Sequence, residues 1–175
     1  GSPYIAMEFI QGRTLQAVSS GARLPLPETL KAMRQVAAGL EAIHSMGIVH
    51  RDLSTNNIMI TESGSAKILD LGLAKDVGRI TSGDSQGMLV GTMAYVAPEV
   101  VMGQSANARS DIFSFGVILY EVLAGRNPFQ AEHFMSLLYN ITNREPEPLD
   151  VHLESCPSAL TNLVSQCMAK RPDER

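Results

Sequence analysis

The chain has 175 residues, 45% of them hydrophobic and 18% charged. That is enough for one domain with a sizeable core, and too apolar for a disordered segment. Fourteen Lys and Arg against eighteen Asp and Glu leave a net charge of −4, the wrong sign for a nucleic-acid partner, which calls for a basic surplus. Two cysteines, Cys156 and Cys167, form no CxxC pair, and His44, His50, His133 and His152 show no zinc-ligand spacing. A reduced, cytoplasmic protein, or the cytosolic part of a larger one, without a zinc site is therefore the expectation. The longest apolar stretch, 115–123, contains Gly116 and Glu121 and falls far short of a membrane span.

Residues 4–10 (YIAMEFI) predict a strand that ends in a turn at Gln11-Gly12. A short helix is expected over 14–20. Over 28–46, Leu30, Met33, Val36, Ala37, Leu40 and Ile43 recur at steps of three and four, which predicts an amphipathic helix with one apolar stripe. Gly47 stands just past its C-terminus. The period then changes: 57–61 (NIMIT) and 66–70 (AKILD), separated by Glu62-Ser63-Gly64-Ser65, read as a hairpin. The polar, Gly- and Ser-rich run 76–86 predicts a surface loop. A second core helix, apolar around most of its circumference, is expected over 109–123. Two more are expected over 134–141 and 158–169, with a Pro-containing stretch over 146–157 between them.

Four short motifs carry the chemistry. His50-Arg51-Asp52-Leu53-Ser54-Thr55-Asn56-Asn57 matches H-R-D-L-x-x-x-N, and Asp70-Leu71-Gly72 follows. Ala97-Pro98-Glu99 comes next, and then 111–116 (DIFSFG). In this order they resemble the catalytic loop, the metal-binding D-F-G, the A-P-E element and the start of the central buried helix of protein kinases. Met7-Glu8-Phe9-Ile10 resembles the hinge of that family, with Met7 at the gatekeeper position, and 167–175 resembles the segment whose Arg pairs with the A-P-E glutamate. The resemblance runs from the hinge to Arg175. No G-x-G-x-x-G occurs, and none of Lys31, Lys67, Lys75 and Lys170 lies in a V-A-I-K setting. The implied fold is mainly α with a small β-hairpin: the α+β C-lobe of a kinase, with the small lobe and the final helix absent, as a single fragment over 1–175 that is inactive alone.

Further expectations follow from the resemblance. Asp52 is the base that takes the proton of a Ser or Thr hydroxyl on a protein substrate. The Asn57 amide oxygen and the Asp70 carboxylate are hard ligands suited to Mg²⁺, with ATP as the phosphoryl donor. Gly72 lets the backbone turn beneath the ions. Glu8, Ile10, Thr14 and Met59 belong to the nucleotide site, Met59 as its apolar floor. Ser54 replaces the Lys that most Ser/Thr kinases place two residues after the base, and is expected to bond Thr92. Met59, His50, Ile118 and Val122 are core or supporting residues. Asp111 is expected to accept backbone N–H groups of the catalytic loop, and Glu99 to pair with Arg175. Arg51 is the group that would hold a phosphorylated loop, with Thr81, Ser82 and Ser85 as its acceptors. Gly91-Thr92 and 95–99 resemble Ser/Thr rather than Tyr kinases. The alternative is a pseudokinase-like scaffold or allosteric binding module, a reading that Ser54 keeps open.

Overall fold

The computed structural model describes residues 7–20, 24–70, 91 and 93–175. In chain order these form strand β1 (Gly12–Thr14), helix α1 (Leu15–Ser19), helix α2 (Leu26–Ser45), and strands β2 (Ile58–Thr61) and β3 (Ala66–Ile68). Helices α3 (Pro98–Val101), α4 (Ala108–Ala124), α5 (Phe134–Asn143) and α6 (Ser158–Cys167) follow.

Helix α4 is the axis of the core. Phe113, Val117, Ile118, Leu119, Tyr120, Val122 and Leu123 are all buried, which its all-round apolar sequence demands. Asn107 caps it in a capping box with Ser110, and Gly125 ends it in the left-handed region at φ 75°, where an L side chain is disfavoured. Helix α2 packs on α4 and on β3. Its buried arc is Thr29, Ala32, Met33, Val36 and Leu40. Leu30 is 40% exposed and Ala37 is exposed, so the stripe is rotated from the expected one, because two neighbours share the face. Gly47 follows at φ 74°, and its N–H closes on the His44 carbonyl at 2.9 Å.

The expected hairpin is present, with Ile58 opposite Ile68 and Ile60 opposite Ala66. A third strand was not expected. The described part of 4–10, residues 7–10, forms no strand, and Met7 and Phe9 are 72% and 89% exposed. Strand β1 lies instead across the predicted turn: Gly12, Arg13 and Thr14 pair antiparallel with Thr61, Ile60 and Met59. Gly12 permits this approach, since a Cβ there would lie 2.3 Å from the Ile60 carbonyl oxygen. The antiparallel sheet β1-β2-β3 replaces the bare hairpin. Helices over 14–20, 109–123, 134–141 and 158–169 are found with ends within a few residues of those expected. The predicted loop over 76–86, Gly72 and Thr92 lie outside the described residues.

Candidate active site

The loop between α2 and β2 is built around a buried carboxylate. Asp111, in the first turn of α4, accepts the His50 N–H at 2.8 Å on Oδ2 and the Arg51 N–H at 3.0 Å on Oδ1. His44, in the last turn of α2, completes the set with Nε2 2.8 Å from Oδ2. Arg51 itself sits at φ 67°, a conformation L residues rarely adopt without support. This bears out the expected role of Asp111, and adds His44, which sequence reasoning missed.

His50 is fully buried and bridges two segments. Its Nδ1 accepts the Asp52 N–H at 3.3 Å, so the ring proton is on Nε2, which donates to the Leu69 carbonyl at 2.9 Å. The Leu69 N–H in turn donates to the Asn57 carbonyl at 2.8 Å. Asp70, exposed and at φ 46°, therefore leaves a residue tied to both ends of the 50–57 loop.

Asp52 and Asn57 are half-buried. Asn57 Nδ2 donates to the Asp52 carbonyl at 2.7 Å and to Asp52 Oδ2 at 3.2 Å. The nitrogen end of the amide is thereby committed to Asp52, which leaves Oδ1 as the acceptor end. Ser54 is buried and opens the short 3₁₀ turn Thr55–Asn57; its expected partner Thr92 lies outside the described residues. Among the described residues no group of three or more His, Cys, Asp and Glu could hold a metal ion. A cation here would rest on one amide oxygen and one carboxylate, Asn57 and Asp70. That sparse oxygen set suits Mg²⁺, which keeps its waters and binds through one or two carboxylates plus phosphate.

The residues expected around a nucleotide are partly gathered. Thr14, Met59 and Lys67 are cross-strand partners in one row of the sheet and so share a face. Met59 is half-buried. Lys67 Nζ reaches Glu8 Oε1 at 2.5 Å, which draws Glu8 to the same row. Thr14 also caps α1, accepting the Ala17 N–H at 3.2 Å. Ile10 lies half-buried just before β1. Ile118 and Val122 are buried in α4.

Glu99 and Arg175 form the expected pair, Nη1–Oε1 and Nη2–Oε2 both at 2.9 Å, with side chains 2% and 0% exposed. Burial alone would push the Glu99 carboxyl up; the guanidinium fork and the Ser110 hydroxyl, 2.7 Å away, outweigh it and hold the group below the usual carboxylate range. Lys170 stands next to this pair, its ammonium 4.1 Å from the Phe129 ring centre and 3.0 Å from the Ile141 carbonyl. Burial brings Lys170 down to about 8. No helix among the described residues is long and apolar enough to cross a membrane.

Comparison with known proteins agrees with this geometry. The chain is 37% identical over 99% of its length to the probable serine/threonine-protein kinase PknB of Corynebacterium glutamicum, covering 28% of that protein. It is 36% identical over 99% of its length to the serine/threonine-protein kinase PksC of Streptomyces coelicolor, covering 32% of it. With PknL of Mycobacterium tuberculosis the identity is 35% over 99% of the chain and 43% of the relative. The chain thus spans less than half the length of these relatives. The family model for the protein kinase domain matches residues 1–175, and with the loop, the buried aspartate and the Glu99–Arg175 pair in place, the chain belongs to the protein kinase family.

Proposed function

We propose that the protein containing this chain transfers the γ-phosphoryl group of ATP to Ser or Thr hydroxyls of protein substrates, with these residues forming the larger, mostly helical lobe. The observation that carries the reading is the Asp52–Asn57 pair: a half-buried carboxylate held by an amide nitrogen at 3.2 Å, on a loop whose backbone is fixed by Asp111. Asp52 accepts the hydroxyl proton of the substrate. Asn57 Oδ1 and the Asp70 carboxylate would hold Mg²⁺, whose role is to neutralise phosphate charge. His50 keeps Asp52 and the Leu69–Asp70 segment at a fixed separation. Thr14 and Met59 offer one face of the sheet to the nucleotide, flanked by Glu8 and Ile10. Ser54 and Thr92 are assigned to the phosphoryl-transfer end, where Ser54 supplies a hydroxyl in place of a cation. Serine/threonine preference is supported by the sequence over 91–99 and by the likeness to serine/threonine-protein kinases. The reaction is assigned to the cytoplasm, or to the cytosolic part of a larger protein. The sequence holds neither a Gly-rich loop nor a V-A-I-K lysine, so the 175 residues alone are expected to be inactive.

The deciding experiment is Asp52→Asn in the full-length protein. Turnover on a Ser/Thr peptide should fall by about 10² or more, with nucleotide affinity nearly unchanged. Peptide phosphorylation at the unmodified rate would remove Asp52 from this role. Nucleotide binding with no transfer by the unmodified protein would favour the scaffold reading.

A further inference from the structure

Thr55 is fully buried between Asp52 and Asn57, and two distant parts of the chain converge on its hydroxyl. Oγ1 donates to Gln16 Oε1 of α1 at 2.6 Å and lies 2.8 Å from the Tyr95 hydroxyl. A hydroxyl has one proton. With that proton given to Gln16, Tyr95 must give its own to Thr55, so the chain runs Tyr95 to Thr55 to Gln16. Glu121 of α4 also meets the Tyr95 hydroxyl and takes Asn127 Nδ2 at 3.2 Å. Burial pushes that carboxyl up, against the pull of its Tyr95 and Asn127 contacts. The Tyr95 backbone is anchored separately, its carbonyl accepting Ser114 Oγ at 2.7 Å.

The row therefore passes through the turn that carries the site, with Thr55 at its centre. We propose that Thr55 is a positioning residue: held by Gln16 on one side and Tyr95 on the other, it fixes the single turn that sets Asp52 against Asn57. A buried hydroxyl network of this kind favours one arrangement over its neighbours, and small displacements of reacting groups are costly in rate. The inference rests on the phosphoryl-transfer reading for its kinetic consequence, but its structural content is independent of it.

The test compares Thr55→Val, Thr55→Ser, Tyr95→Phe and the Thr55→Val/Tyr95→Phe double variant of the full-length protein, by peptide kinetics and by amide hydrogen exchange. Thr55→Val should lower kcat about tenfold with KM for ATP within about twofold, and Thr55→Ser should restore most of it. Tyr95→Phe should act in the same direction, and the double variant should be no worse than the poorer single one. Exchange should report the link reciprocally: Thr55→Val speeds it about tenfold at Val96, and Tyr95→Phe does so at Asn57. Unchanged kcat in Thr55→Val, no rescue by Ser, or multiplying losses in the double variant would overturn the proposal. If the unmodified protein transfers no phosphate, the kinase reading fails and exchange alone decides; unaltered exchange at Val96 and Asn57 then overturns the clamp. Tyr95→Phe probes the same bond from its other end should the Val variant not fold.

Discussion

Asp111 holds the backbone N–H of Arg51 at 3.0 Å, and Arg51 is one of three non-glycine residues with positive φ among those described. The carboxylate supports a backbone conformation that the sequence around Arg51 does not favour by itself. Asp111→Ala would strand the buried His50 N–H, the part-buried Arg51 N–H and the His44 ring. It should lower stability by about 3–5 kcal/mol, read from urea denaturation. Asp111→Asn keeps one carbonyl acceptor and should cost markedly less, while still lowering turnover because one of the two loop bonds is lost.

The Glu99–Arg175 pair gives an acid-side prediction. Glu99 titrates below its ordinary range when folded, so its contribution is present above the unfolded carboxylate range and is lost as pH falls through the folded value. At neutral pH, Arg175→Ala or Glu99→Gln should destabilise by about 3–5 kcal/mol, since each leaves a buried partner unpaired. Urea midpoints measured from about pH 6 down to about pH 3, through and below the ordinary carboxylate range, should show the gap between Glu99→Gln and the unmodified protein narrowing toward acid.

Lys170 gives the opposite edge. Its folded value is brought down to about 8 from an ordinary value near 10.5, so the folded state loses this proton first. The penalty on its charge is lifted as pH rises from about 8 toward 10, and stability contributed by this residue rises with it. Lys170→Met keeps an unbranched chain over Phe129 without the charge. Compared at each pH, the variant should gain relative to the unmodified protein at pH 7 and lose that advantage by pH 10, as thermal midpoints would show.

Gly116 is where α4 and α6 approach most closely among the described glycines of the core. A Cβ there would lie 2.6 Å from Cys167 Cβ and 3.0 Å from Met168 Cγ. Gly116→Ala gains about 1 kcal/mol of helix propensity, against about 1–3 kcal/mol for overpacking. The net change should be a loss of up to about 2 kcal/mol by chemical denaturation. Combining it with Cys167→Ala should bring no relief, because the obstructing atom is Cβ rather than the sulfur.

The long elements were legible because burial leaves a pattern: α2 repeats apolar residues at helical spacing, α4 is apolar nearly all round, and the two hairpin strands are separated by a Ser/Gly turn. The motif residues of the loop were legible because their order is specific. Strand β1 was not, since three residues carry no period, and its pairing depends on Gly12 meeting Ile60, distant in sequence. Thr55, Gln16 and Tyr95 were equally hidden. Hydroxyl and amide groups leave no spacing signature, and only the fold brings them within 3 Å. His44 had a faint signal, a basic residue in the last turn of a helix, where it suits the helix dipole. The pairing of Lys67 with Glu8 had none, because the pattern over 4–10 predicts a strand.

The Glu99–Arg175 bond joins residues 76 positions apart, which makes it an ordering constraint during synthesis. At about 5–20 residues per second, the ribosome needs about 4–15 s to add that interval. Throughout it, Glu99 has no guanidinium to receive, and burying its carboxylate unpaired is unfavourable. The α3 segment is therefore the part of the nascent chain that must wait, even after α2, the sheet and α4 can pack.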